Sequence, residues 1–536
     1  MRKLLFIFSI LIAITFSSCR KDFTFEQSTG GLEFSKSTVY LDTVFTNISS
    51  STYRLKVYNR GSKDIVIPKI QLGKGINSKY RIMVDGMTGD AGAIGKSYTN
   101  VELLAKDSLY IFIEVTADVA SANPTDFLYT DQIQFSNVSG APQTVDLVTL
   151  IQDAIFIYPD KYSSTSFESI NLGVDTTGAP ITITGSNLLV NDPVNGNELH
   201  WTKGKPYVVY GYALVPDNKT LVIDAGAKVY FHANSGLIVA KNGNIQVNGD
   251  FPSDHKPENL TNEVIFQGDR LEPAFSDVPG QWFGILMLSQ NTNTINHLTL
   301  KNATVGIYCV PLDAINNFYS TKLNITNSQI YNNSNYGLFS LGAQITGENV
   351  AINNCGQYCL TCTYGGNYNF TNSTFNNDWS SSKQLAVLIS DYFADTDTSG
   401  TITYYANNAT NNYHFNNCIM YGSNQVEFYI DRIGTQTFTY SILNSLIKFN
   451  NSQLNDTGLY DFNNPIGPYA NSCYISKNNT HFTPSFKNPD KNQLWPTVDL
   501  SVAPSLMTAM TPTVTLDILG KNRTTDTTIG AYQFIP

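Results

Sequence analysis

The sequence predicts an all-β protein whose C-terminal half is a parallel β-solenoid, and two observations carry that prediction. The first is a recurrence of Asn-x-x-[Ile/Val/Phe], as Asn302…Val305, Asn327…Ile330, Asn349…Ile352, Asn372…Phe375, Asn416…Ile419 and Asn444…Ile447. Successive asparagines are 25, 22, 23, 44 and 28 residues apart, and 44 is twice 22. Repeats of this length mark stacked units, each too small to bury its apolar face alone. One pair aligns closely: Ile330, Asn332, Tyr336 and Leu338 return 22 residues later as Ile352, Asn354, Tyr358 and Leu360. The second observation is the local pattern. No run of ten apolar-periodic residues suits a helix, whereas short β-branched and aromatic runs lie between Asn, Gly and Ser clusters throughout.

Taken in order, the chain opens with a secretory signal over residues 1–18: Arg2 and Lys3, the apolar run Leu4–Phe16, then small residues. That run is too short to favour a membrane-spanning helix. The sequence Phe16-Ser17-Ser18-Cys19 resembles a bacterial lipobox, which implies that Cys19 is the lipid attachment site; the plainer alternative is ordinary cleavage after Ser18. Residues 19–31 read as a polar tether. Over 32–155 the strands Thr38–Phe45, Tyr53–Tyr58, Ile65–Leu72, Tyr80–Val84, Ser108–Val115, Asp131–Phe135 and Thr144–Ile151 alternate with turns such as Asn59-Arg60-Gly61-Ser62. That spacing predicts a β-sandwich of immunoglobulin type, without the Cys…Trp…Cys trio. Residues 156–218 read as a junction or N-terminal cap. The solenoid itself is expected over 219–536, opening at Leu221–Phe231, where an apolar strand, a Gly turn and a second strand make one bend. The missing match between Phe375 and Ile419 predicts a degenerate rung or an inserted loop around Asp391–Tyr405. Asp517–Arg523 and Ile529–Phe534 are expected to end the stack.

Composition excludes some functions. Charged residues are 14% of the chain, against roughly 25% in an average globular protein. The net charge of −10 becomes −12 once Arg2 and Lys3 are removed with the signal. With no Lys/Arg-rich stripe, binding to nucleic acid by phosphate neutralisation is excluded. Membrane contact is expected from the lipid on Cys19, not from a basic helix. Cys355, Cys359 and Cys362 suggest a metal site, but no His stands near them and no fourth ligand completes the set. Cys309, Ser340 and Cys362 share one rung position, so the cysteines read as small stacked residues, with a disulfide as the alternative.

Several segments together resemble right-handed parallel β-helix lipoproteins of Bacteroidetes, a pectate-lyase-like superfold. They are Gly268-Asp-Arg-Leu-Glu-Pro273, Pro279-Gly-Gln-Trp-Phe-Gly284, the Asn rungs and Ile529-Gly-Ala-Tyr532. The resemblance covers essentially the whole mature chain and implies a right-handed helix behind an Ig-like domain, on the outer membrane, at its periplasmic or cell-surface face. It implies shape strongly and chemistry weakly.

Cleavage of a polysaccharide needs paired carboxylates, or a base beside a charge-neutralising cation. From Asn302 to Asn377 the charged residues are Asp313, Lys322 and Glu348, too few for such a cluster. Two other places form a candidate ligand groove. One holds Asp269, Arg270 and Asp277 with Trp282 as a sugar platform, near Glu263, Glu272, His255 and His297. The other holds Glu427, Asp431 and Arg432, where alternation puts Glu427, Tyr429 and Asp431 on one face. Each has a structural alternative: paired charges with a packed Trp282, and a solvated strand face. Asp395-Thr-Asp-Thr-Ser-Gly400 matches the first half of a calcium loop, but Ala406 stands at the twelfth position, so a polar turn is expected and no cofactor. His200, His232, His414 and His481 are scattered, and no nucleophile pattern stands out.

The sequence therefore predicts a lipid-anchored envelope protein without catalysis, structural or binding a glycan or another surface partner. The rival is a polysaccharide lyase or glycoside hydrolase; an adhesin differs from the first only in its ligand. The rung asparagines are expected to form a structural ladder rather than a row of amides that reads sugar.

Overall fold

The computed structural model describes residues 24–123, 127–174, 179–312, 318–381, 383–396, 399–406, 411–433, 437–455, 458–462, 464, 467–469, 474–476, 483–497, 514–523 and 528–534. Cys19, Asp313, Asp397 of the calcium-like segment, Cys473 and His481 lie outside them. The chain is all-β and divides into two compact units, the first ending at Asp153 and the second beginning at Ala154.

In the first unit two sheets enclose one apolar core. The larger joins Glu26–Gln27, Ile65–Leu72, Leu128–Phe135, Gln143–Gln152 and Thr38–Phe45, with Ser97–Leu103 also on Ile65–Leu72; the smaller joins Glu33–Phe34, Tyr53–Tyr58, Ser108–Val115 and Tyr80–Val84. Alternation sends Val39 and Leu41, Leu55 and Val57, and Ile111 and Ile113 inward. Three findings differ from expectation, the first being the short strand Glu33–Phe34, paired with Val57–Tyr58. Glu26–Gln27, inside the segment read as a tether, pairs with Ile65–Val66 as an edge strand. Ser97–Leu103 escapes the pattern because Asn100 is left-handed (φ 52°). That residue shifts the alternation, so that Tyr98 and Val101 both point into the core.

The second unit is built on three long parallel sheets, the arrangement of a parallel solenoid, with eleven, ten and nine strands among the described residues. Successive strands visit the sheets in turn. Lys322–Thr326 lies in the third sheet, Gln329–Asn333 in the first, Tyr336–Leu341 in the second, and Gln344–Glu348 returns to the third. The stack starts earlier than expected: Ile155–Ile157 already pairs with Tyr207–Val209 in the first sheet. The hairpin Ser169–Val174/Pro180–Asn187 opens the second sheet. One side chain in two from every sheet points inward, and these form a continuous apolar core from Ile157 to Tyr469.

Register corrects the repeat. Thr299 pairs with Gln329, which places His297 opposite Asn327; Ile419 pairs with Thr374 and Met420 with Phe375, which places Asn417, not Asn416, opposite Asn372. The column at the corner from third to first sheet is therefore His297, Asn327, Asn349, Asn372, Asn417 and Asn444, all with φ between 48° and 54°. Asparagine tolerates that left-handed turn and bonds its neighbours. Nδ2 of Asn349 donates to Oδ1 of Asn327 at 2.8 Å, Asn417 to Asn372 at 3.4 Å, and Asn444 to Asn417. Lys301 pairs with Tyr331, so Asn302 belongs with Asn332 at the next corner instead. The doubled step of 44 holds no degenerate rung. Thr374–Asn377 pairs directly with Ile419–Gly422, and the extra length is an antiparallel hairpin, Tyr392–Thr396 with Ile402–Ala406.

The C-terminal segment does not end the stack; it runs back over the outer face of the first sheet. Leu494, Trp495, Ile518, Leu519, Ala531 and Tyr532 pack on Ala351, and Ile529 packs on Ile419, Tyr421 and Leu446. The cover removes Ala351, Ile419, Tyr421 and Leu446 from water and is also bonded to Gln329, Asn353 and Thr374 on that face. Cys309, Cys355, Cys359, Cys362 and Cys418 are buried free thiols, and Cys309, Ser340 and Cys362 stand in one register column.

Candidate functional site

The outer face of the third sheet is its polar side. In each strand alternation buries the apolar members, such as Leu323 and Ile325, Tyr368 and Phe370, and Tyr413 and Phe415. The residues between them face out. Parallel in-register pairing then stacks like positions into columns. One runs Thr292, Lys322, Gln344, Asn367; its neighbour runs Thr294, Asn324, Thr346, Asn369, His414, Ser441. Gly347 keeps the inner layer in place, because a Cβ there would meet the Phe370 ring at 2.3 Å. The two columns line an open groove of about 520 Å³. Its lining is mostly amides and hydroxyls, with Ile345 and Leu443 among them, Lys322 and His414 as the ionisable members and no carboxylate. Glu348 stands at the far edge, beside the Asn-ladder corner, outside the lining. Such a surface offers many neutral donors and acceptors in fixed rows and no acid–base pair.

The residues singled out from sequence do not share a groove. Asp269 is bound to His232 at 2.7 Å, and that bond raises the imidazole's pKa. Arg270 pairs with Glu272 at 3.0 Å and lies 3.8 Å from the centroid of Phe275. Asp277 holds Lys491 of the returning C-terminal segment at 2.6 Å. Trp282 is 1% exposed. It stacks on Phe231 at 4.1 Å and 5°, and its Nε1–H donates to the Lys301 carbonyl at 2.9 Å. The sugar-platform reading of Trp282 therefore gives way to the packed one: inward alternation places the indole inside the stack. Nearby, the His297 ring and Glu263 form a buried pair at 3.2 Å.

Glu427 also leaves the expected face. It precedes the strand Phe428–Asp431 and is fully buried, accepting the N–H of Asn424 at 2.7 Å and of Ala386 at 2.8 Å. Burial pushes its carboxyl up to about 8, against those two N–H groups and the Lys448 ammonium, which favour the charged form. Tyr429 and Asp431 do face out, and Asp431 accepts the Tyr392 hydroxyl at 2.6 Å. Arg432 lies 3.7 Å from Asp391. Among the described residues no group of three His, Cys, Asp or Glu side chains is placed to hold a metal ion, and no helix is long and apolar enough to cross a membrane. Apart from Asn416, the groove residues lie outside the Asn rungs. Their signal was present in the alternating segments Lys-Leu-Asn-Ile-Thr, Asn-Tyr-Asn-Phe-Thr and Asn-Tyr-His-Phe-Asn at rung spacing.

No protein-family model matches the chain, and no curated protein matches it. Among solved structures it is similar to the ASH / PapD-like domain of human CEP192 (PapD-like domain 7), at 15% identity and TM-score 0.15, over 25% of this chain and 92% of that one. It is similar to the Agl-KA catalytic domain at 12% identity and TM-score 0.15, over 74% and 80%. A Bacteroides ovatus GH5 xyloglucanase in complex with a XXXG heptasaccharide is similar at 10% identity and TM-score 0.13, over 59% and 71%. At TM-scores this low none of the three implies a shared fold or a shared activity.

Proposed function

We propose that this protein is a lipid-anchored component of the outer membrane, held by Cys19 and non-catalytic. In this reading a right-handed β-helix behind an Ig-like domain binds glycan along the groove of its third sheet. The single observation that carries the binding reading is the groove lining: rows of amides and hydroxyls repeated at strand spacing, without a carboxylate. Glycans present hydroxyls at regular intervals, and fixed donors and acceptors meet them at little ordering cost. Hydrolysis or lysis would need an acid–base pair on the same surface. The lipobox-like Phe16-Ser17-Ser18-Cys19 and the resemblance to Bacteroidetes envelope lipoproteins support the location. The test is retention of the full chain on an array of neutral and acidic polysaccharides, alongside Asn369→Ala and Ser441→Ala. Each variant should weaken binding about fivefold, as loss of one hydrogen-bonding side chain does. An array on which no polysaccharide retains the protein, or variants that bind as the parent does, would overturn the reading.

A further inference from the structure

A line of aromatic rings borders the groove at the corner where the second sheet turns into the third. The Phe318 ring lies over Gly342, where a Cβ would meet it at 2.3 Å. It meets Tyr364 edge-on, centroids 5.3 Å apart at 73°. Tyr364 in turn meets Phe393 at 5.0 Å and 82°, and Phe393 stacks on Tyr405 at 5.0 Å and 18°. The last two rings belong to the inserted hairpin, where Phe393 and Tyr405 are paired across the strands and share a face. The line stands beside the groove floor. Phe318 precedes Lys322 by four residues, Gly342 precedes Gln344 by two and Tyr364 precedes Asn367 by three. Lys322, Gln344 and Asn367 are consecutive members of one groove column.

Resting on the reading of the groove as a glycan site, we infer that its ligand is an extended, uncharged polysaccharide lying along the stack axis. The chain's hydroxyls meet the amide columns, and its ring faces meet the aromatic line. The columns cross six strands, from Thr292–Asn296 to Phe438–Leu443, which spans ~24 Å at ~4.8 Å per strand; that length takes a run of sugars rather than one. A sugar ring has polar edges and apolar C–H faces, and a polar floor with an aromatic wall matches both. Charge sets the class. An acid on every sugar would place several anions over a groove holding one lysine and one histidine, in a protein whose net charge is −10, or −12 without Arg2 and Lys3. Without matching cations that association is opposed.

Isothermal titration of the full chain with cello-, xylo-, manno- and laminari-hexaose, their trimers, and a hexagalacturonate tests the inference. At least one neutral hexaose should bind more tightly than its trimer and than the acidic chain. Tyr405→Leu, which keeps an apolar side chain without the ring, and Phe393→Ala should each weaken it about fivefold to tenfold. Tyr404→Ala, on the opposite face of the hairpin, should leave it unchanged. Tighter binding of the acidic chain, equal binding of trimer and hexaose, or ring variants that bind as the parent does would overturn the inference. If Asn369→Ala still weakens binding in those cases, the groove reading survives alone; binding of no probe counts against both.

Discussion

At the scale of single residues, the corner asparagines and Glu427 show how one side chain serves a stack. Each corner asparagine occupies a left-handed position that most side chains resist, and Asn349, Asn417 and Asn444 each donate an amide proton to the asparagine below. A leucine there would leave backbone and amide partners unmatched, at ~1–3 kcal/mol each. Glu427 has the opposite character, a buried carboxyl that prefers its proton. The unfolded chain releases that proton near the ordinary 4.5, whereas the folded chain holds it to about 8. Stability from this group is therefore complete below about 4.5 and declines as pH rises to about 8. Thermal midpoints of the parent protein should fall more steeply between those pH values than those of Glu427→Gln. Parallel profiles would show that the carboxyl is charged throughout. Glu427 was legible in sequence as an acid on a strand. Its burial was not, because alternation from Tyr429 and Asp431 points it outward, and only the corner at Gly422–Asn424 turns it in.

At the scale of elements, one buried cation ties the end of the returning C-terminal segment to the stack. Arg523 is fully buried. Its guanidinium donates to the carbonyls of Thr528, Gly530 and Ala531 and to Oδ1 of Asn349, at 2.6–3.0 Å. Asp517 complements it by accepting the N–H groups of Leu519, Lys521 and Gln533. Arg523 thus ties the segment's own turn to the Asn ladder. Arg523→Met keeps the length of the side chain and removes every donor, which should cost at least ~2 kcal/mol. Hydrogen exchange should quicken over 516–532 and stay unchanged in the third sheet. Unchanged protection of 516–532 would mean that apolar packing alone holds the segment. The strands Thr38–Phe45, Tyr53–Tyr58, Ile65–Leu72, Tyr80–Val84 and Ser108–Val115 were legible to the residue because β-branched and aromatic runs, alternating through most of their length, stand between clear turns. The path of the C-terminal segment was not. Its Asp517–Arg523 and Ile529–Tyr532 motifs specify a local turn, and nothing in them says which face they cover.

At the scale of the whole molecule, one residue is expected to decide where the protein resides. If Cys19 carries the lipid, Cys19→Ala should move the protein from the membrane fraction to the soluble one, since reversible binding by protein surface alone lacks a basic face here. Unchanged membrane association would refute the anchor. The sequence by itself determined that the chain is all-β, that its second half stacks in units of about 22 residues, and that Cys309, Ser340 and Cys362 share one rung position. These follow from side-chain alternation and repeat length, which are local and survive without knowledge of neighbours. Tertiary structure alone decided which asparagines share a corner and that Trp282 and Glu427 are inside. It also decided that the insertion at Tyr392–Ala406 sets rings beside a polar groove. Each of these depends on register between strands twenty or more residues apart, and a shift of one residue exchanges inside for outside.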